Sequence, residues 1–213
     1  MCKTDGKVAQ IIEILENLYP MPACSLDYEH AHELLFSARL AAQCTDARVN
    51  TVTPVLFAKY PTLEAFAEAD VADIEEIIHP CGFFRSKARD IVACAGKLVS
   101  EYGGRLPDTV EELVKLPGVG RKTANLIVGD VFHKPAIVTD THCIRIANRL
   151  GLCNVKEPVK VERALWEIIP PEKGSDFCHR LVLFGRDVCT ARAPQCGNCP
   201  LAGLCAERAK TNG

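Results

Sequence analysis

The sequence predicts an all-α protein of roughly ten short helices joined by brief polar turns. Three observations carry this reading. Apolar residues recur three and four apart along much of the chain. Capping residues stand in front of these runs, with glycine or proline behind them. No stretch alternates apolar with polar residues as a half-buried strand does.

Taken in order, Val8, Ile11, Ile12, Leu15 and Leu18 mark one face of an opening amphipathic helix, ended by YPMP. Thr62 and Asp70 read as N-caps of two short helices, and the acidic run over 64–76 as their solvated face. Ile91, Ala95, Leu98 and Tyr102 trace a longer helix, closed by Gly103 and Gly104. Thr109 with Glu112 forms a capping box for a helix over 109–116. The turn LPGVG leads into a further helix that Pro135 stops, and 133–138 reads as an extended linker. Asp140 caps the helix THCIRIANRL, with Gly151 at its stop. The chain carries no fixed-period repeat.

At 213 residues, 48% hydrophobic and 24% charged, the chain is long enough for one large or two small helical domains. Its start, MCKTDGKVAQ, has no apolar signal core, and no uncharged run reaches the roughly 18 residues of a membrane span. A soluble, cytosolic-type protein is expected. The net charge of −2 lacks the basic footprint of a bulk polyanion binder, so any such site rests on local clusters, FFRSKAR and GRK among them.

Twelve cysteines without a signal peptide do not read as a secreted disulfide framework. Eight are scattered (Cys2, Cys24, Cys44, Cys81, Cys94, Cys143, Cys153 and Cys178), and most are expected to behave as small buried hydrophobes. Cys189, Cys196, Cys199 and Cys205 instead form C-x6-C-x2-C-x5-C within 17 residues. Four soft thiolates point to an iron–sulfur cluster or a structural zinc held by four cysteines. Structural zinc usually takes two separated C-x2-C knuckles, and only one such pair is present here. A loop wrapping a cubane cluster fits better.

The stretch LPGVGRKTAN carries the second chemical signal. Two glycines permit a tight turn and close approach to the main chain, and the helix N-terminus beyond offers unpaired N–H groups to a phosphate. Arg121 and Lys122 stand in that helix's first turn, where the dipole disfavours a cation. A neighbouring cation and the dipole together favour the neutral, nucleophilic amine; an exposed lysine pairing with phosphate is the alternative. Eighteen residues later, Asp140 supplies a carboxylate suited to stabilising positive charge on a sugar ring.

The pieces LAAQCTDARVN, GFFRSKA, LPGVGRKTAN, VTDTHCIRIANR and the four-cysteine loop together resemble the endonuclease III family, in the family's order, over about residues 40–205. The resemblance implies the helix–hairpin–helix DNA glycosylase fold: two helical domains with a cleft between them and a C-terminal [4Fe–4S] loop. The expected division is a helical barrel domain over 24–135, with the hairpin at 109–132, and a cluster domain of 1–23 plus 136–213. Lys122 matches the family's Schiff-base nucleophile and Asp140 its catalytic carboxylate. Gln43 matches the residue filling the hole left by an extruded nucleotide, and Phe83 an apolar wedge beside the opposite base. Further DNA contacts are expected from Arg85, Lys87, Gly118, Val119, Gly120, Arg121, His142 and Arg192. The implied partner is duplex DNA carrying damaged pyrimidines or abasic sites, met by a monomer at the nucleoid.

Three positions depart from the family pattern. Ala41 stands for a usual serine, Thr139 for a usual valine, and Arg192 is the one cation between Cys189 and Cys196. Other readings are an adenine-mispair glycosylase, which usually has serine in place of Lys122 and a long further domain, and a non-catalytic or redox-signalling DNA-binding iron–sulfur protein. Neither a binding module nor a redox carrier needs Lys122 and Asp140 together.

Overall fold

Helix α1 (Gly6–Leu18) opens the computed structural model, which describes residues 6–211. It buries Val8, Ile11, Ile12 and Leu15 but leaves Leu18 exposed, so the apolar stripe stops one turn before the expected end. Cys2 lies outside the described residues. By Cα proximity the chain divides into two compact units, one of Cys24–Phe132 and one of the residues up to Ala23 with those from His133 onward.

The unit of 24–132 holds seven helices: α2 (Ala31–Leu40), α3 (Asp46–Lys59), α4 (Leu63–Ala67), α5 (Val71–Ile78), α6 (Phe84–Tyr102), α7 (Val110–Leu113) and α8 (Arg121–Asp130). Their starts are set by short polar side chains. Thr62 accepts from the Ala65 amide (3.2 Å) and Asp70 from the Ala72 amide (2.9 Å), each satisfying an N–H that the helix itself leaves open. α4 and α5 lean on α6 through Phe66, Ile74, Ile78, Ile91 and Leu98, all buried. Phe66 meets Phe36 of α2 edge to face at 4.8 Å. The carboxylates of 64–76 face outward, and Asp73 pairs with Lys59 at 2.8 Å.

Two expectations about this unit need correction. The helix begun at Thr109 ends at Leu113 rather than Leu116, and only half of the capping box forms. Thr109 accepts from the Glu112 amide, while the Glu112 carboxylate turns to Lys115 and Tyr102. α8 ends at Asp130, before Pro135 acts on it, and the chain leaves through His133 with a φ of +51°.

The other unit combines α1 with α9 (Thr141–Leu150), α10 (Pro158–Ile168), α11 (Gly174–Asp187) and α12 (Ala206–Thr211). The extended segment 133–139 is a linker only in its first half: His133, Lys134 and Pro135 are exposed, whereas Ala136, Ile137, Val138 and Thr139 are buried. Gly174 makes this possible, because a β-carbon there would stand 2.5 Å from the Ala136 carbonyl oxygen. α1 is pinned to α11 by Arg180 donating to the Tyr19 carbonyl (3.0 Å) and the Tyr19 hydroxyl donating to Asp187 (3.0 Å). Of the scattered cysteines, Cys81, Cys94, Cys143 and Cys178 are buried, and Cys24, Cys44 and Cys153 half-buried. Among the described residues there is no strand, and no helix is long and apolar enough to cross a membrane.

Candidate nucleic-acid interface and cluster loop

Gly118, with φ of +73°, turns the chain between α7 and α8. The side on which its β-carbon would stand is filled from within, by Asp90 and by Arg39, which form an ion pair at 2.6 Å. Gly118 therefore seats the hairpin on α2 and α6 rather than opening it to a ligand. At Gly120 a β-carbon would meet nothing within 4 Å, so this is the glycine that leaves the main chain approachable. Gly120 is also the N-cap of α8 and has no side chain to cap with, which leaves the helix's first amides without an acceptor from that position. Val119 lies between the glycines, its amide turned back to the Leu116 carbonyl at 3.2 Å. Arg121 and Lys122 are both exposed at this helix start. Lys122 is close enough to Cys24 to draw its thiol pKa down, though burial outweighs this and pushes the thiol up to about 11.

Gln43 and Phe83 belong to the same unit and share an unusual backbone. Each is exposed, and each is left-handed without being glycine, with φ of +56° and +47°. Such a conformation costs on the order of 1–2 kcal/mol and persists only where its surroundings enforce it. Gln43 sits at the corner of a turn closed by the Cys44 amide on the Ala41 carbonyl (3.1 Å). Phe83 caps α6 after Gly82, whose φ of +65° and ψ of +159° suit glycine almost alone. At 65% exposure Phe83 is no core aromatic. Ala41 lies two residues before Gln43, at the C-cap of α2.

Arg85 is exposed beside this turn, with its guanidinium 5.6 Å from the Phe84 ring. Lys87 is not a DNA contact. It has no exposed surface, and its Nζ donates to the carbonyls of Leu40 and Cys81, both at 2.8 Å. The reason is its register. Stepping four residues back along α6 from Ile91, on the stripe of Ile91, Ala95 and Leu98, lands on Lys87, so the helix directs it inward. That stripe was the available signal in the sequence. Nothing local marks Arg39 and Asp90, which pair across 51 positions of chain.

In the other unit, Asp140 caps α9, its Oδ1 accepting from the Cys143 amide at 2.7 Å. The side chain is half-buried, which leaves part of the carboxyl group accessible. His142 and Arg145, one turn on, lie against α11 at Gly185. A β-carbon there would stand 2.5 Å from His142 Nδ1, and Arg145 Nη2 donates to the Gly185 and Cys189 carbonyls. Arg149 is committed to the cysteine loop, donating to Cys189 Sγ at 3.3 Å and to the carbonyls of Thr190 and Ala191. Arg192 is exposed on that loop.

Cys189, Cys196, Cys199 and Cys205 line one cavity of about 410 Å³, together with Arg149 and Leu201. Among the described residues no three His, Cys, Asp or Glu side chains converge as they would on a single ion. Four sulfurs spread around a common space, with one already accepting from a guanidinium, fit a cluster better than a lone zinc.

Residues 36–171 match the HhH-GPD superfamily of base excision DNA repair proteins, and residues 189–205 the iron–sulfur binding domain of endonuclease III. Endonuclease III from a Synechocystis species is 46% identical over 206 residues, covering 96% of this chain and 94% of that protein. The chain belongs to the endonuclease III family. The Bacillus subtilis member is 42% identical over 93% of this chain and 91% of its own length. The solved structure of a trapped endonuclease III–DNA covalent intermediate superposes with a TM-score of 0.92 at 41% identity, covering 97% of this chain and 98% of that one. A thermostable thymine-DNA glycosylase, 23% identical with a TM-score of 0.85, shares the fold.

As a family member the chain is a DNA glycosylase with abasic-site lyase activity and carries a [4Fe–4S] cluster. Cys189, Cys196, Cys199 and Cys205, which line one cavity, are the residues that would hold it, and bound there it would cross-link their loop.

Proposed function

We propose that the protein removes oxidised pyrimidines from duplex DNA and cleaves the abasic site through an imine on Lys122, acting as a monomer. The observation that carries the reading is Lys122 itself, exposed in the first turn of α8 behind an approachable Gly120, in a chain similar to one whose covalent DNA intermediate has been trapped.

The damaged nucleotide is first turned out of the duplex, which costs least for a base that stacks poorly. The neutral Nζ of Lys122 attacks the sugar C1′, and the bond from C1′ to the base breaks, the base leaving with a proton. Ring opening yields an imine between Nζ and C1′. The imine acidifies the C2′ proton; its removal breaks the C3′–O bond and cuts the strand on the 3′ side. Water then hydrolyses the imine and restores the lysine. The Asp140 carboxylate stabilises positive charge as it builds on the sugar and assists proton movement. Gln43 fills the vacated space and Phe83 wedges beside the unpaired base, both presented by turns that are already formed. Arg85, Arg121, Arg192 and the main chain at Gly120 take phosphates.

Borohydride trapping on a duplex with a single thymine glycol tests this. A covalent adduct with the native chain and none with Lys122→Gln is expected. Base release by the native chain without any adduct would make the enzyme a monofunctional glycosylase.

A further inference from the structure

Lys87 is a fully buried ionisable group that the proposed chemistry leaves unused, and its two acceptors are informative. Leu40 is the last residue of α2, three residues before Gln43. Cys81 ends the short 3-10 turn two residues before Phe83. One amine thus grips the main chain just ahead of both exposed, left-handed residues. The Cys44 thiol neighbours that of Cys81 beside it, and burial together with this neighbour pushes the Cys81 thiol up to about 11.

The side chains of Gln43 and Phe83 point to solvent, so their own packing cannot enforce the left-handed backbone. The restraint must act on the main chain, and a carbonyl at a helix end is a free acceptor that a buried ammonium satisfies strongly. A lysine suits this place because it delivers a compact charge along a flexible stem; methionine would fill the volume and donate nothing.

We infer that Lys87 is a positioning residue that holds the Gln43 turn and the Phe83 turn at a fixed spacing, so that both enter the duplex together. This rests on the reading of Gln43 and Phe83 as the residues that enter DNA. It makes Lys87 matter for extrusion of the damaged nucleotide and much less for the chemistry at Lys122.

The test compares two substrates, a duplex containing thymine glycol and a single-stranded oligonucleotide with one abasic site, from which nothing need be extruded. Misplacing a catalytic constellation by about 1 Å costs on the order of 100-fold, so Lys87→Met should lower the duplex-to-single-strand rate ratio by about that factor. Adding Phe83→Ala to Lys87→Met should cost far less than Phe83→Ala costs alone, because the wedge is already displaced. Equal losses on both substrates, or losses from the two substitutions that multiply, would overturn the inference. If circular dichroism shows Lys87→Met unfolded, Lys87→Arg decides by the same ratio, since it keeps charge and donors but not their placement. If Gln43→Ala and Phe83→Ala, each made with Lys87 intact, both leave the duplex rate untouched, the underlying reading of these two residues falls instead.

Discussion

At Gly118 a β-carbon would stand 2.8 Å from Asp90 Cβ and 2.9 Å from Arg39 Nε, in a backbone with φ of +73°. Gly118→Ala should therefore cost the left-handed strain of about 1–2 kcal/mol plus the overlap with a part-buried ion pair, whose members have little room to retreat. A fall in Tm of roughly 4–8 °C in differential scanning calorimetry is expected, against almost none for Gly120→Ala, whose β-carbon meets open space. Equal losses at the two glycines would mean that Gly118 is no more tightly seated than Gly120. Residues of this kind divide sharply in how well the sequence announces them. Lys122 and Asp140 stand in short motifs that set their places locally, in a helix's first turn and at a helix N-cap, and both placements are legible. The partnership of Arg39 with Asp90 depends on where α2 and α6 come to lie, which no neighbouring residue encodes. Lys87 falls between these cases. Its surroundings in FFRSKAR read as a basic surface cluster, yet the period of the apolar stripe places it inside.

Among the elements, α9 carries two tasks at one residue. Asp140 opens the helix by accepting the Cys143 amide, and in the proposed reaction its remaining carboxyl surface would serve the chemistry. The two roles separate by substitution, because asparagine caps about as well as aspartate but carries no charge. Asp140→Asn should hold stability within about 1 kcal/mol while lowering base release by roughly 100-fold or more. Asp140→Ala should lose the activity and about 1 kcal/mol of stability besides. Urea melts alongside single-turnover base release would decide, and an active Asp140→Asn would remove the carboxylate from the chemistry. Helix starts of this kind were readable at Thr62, Asp70 and Asp140, since each needs one short polar side chain in a fixed position. Helix ends were less so. α7 stops early because its last turn tightens, the Lys115 and Leu116 amides reaching the Glu112 and Leu113 carbonyls three residues back, just ahead of Pro117. α8 stops before Pro135 because the chain must turn at His133 into a buried segment. Only the second outcome is tertiary.

For the molecule as a whole, the division into two units predicts where loss of the cluster is felt. Cys199→Ser should abolish the visible absorbance of the cluster, and hydrogen exchange should lose protection over 189–211 and the end of α9 that Arg149 ties to the loop. Amides of 24–132 should keep theirs, and protection lost evenly across the chain would contradict the division. The pairing of α1 with α11 has a consequence for synthesis. Helix α1 leaves the ribosome more than 150 residues before its partner, since Arg180 grips Tyr19 across 161 positions. At about 5–20 residues per second, that is on the order of 10–30 seconds during which the face of Val8, Ile11, Ile12 and Leu15 has nowhere to dock. The residues of 24–132 emerge in the meantime and can fold first as a unit. The unit that carries the four cysteines closes after that, around a helix made long before, and iron–sulfur loading follows the synthesis of α11 and the cysteine loop.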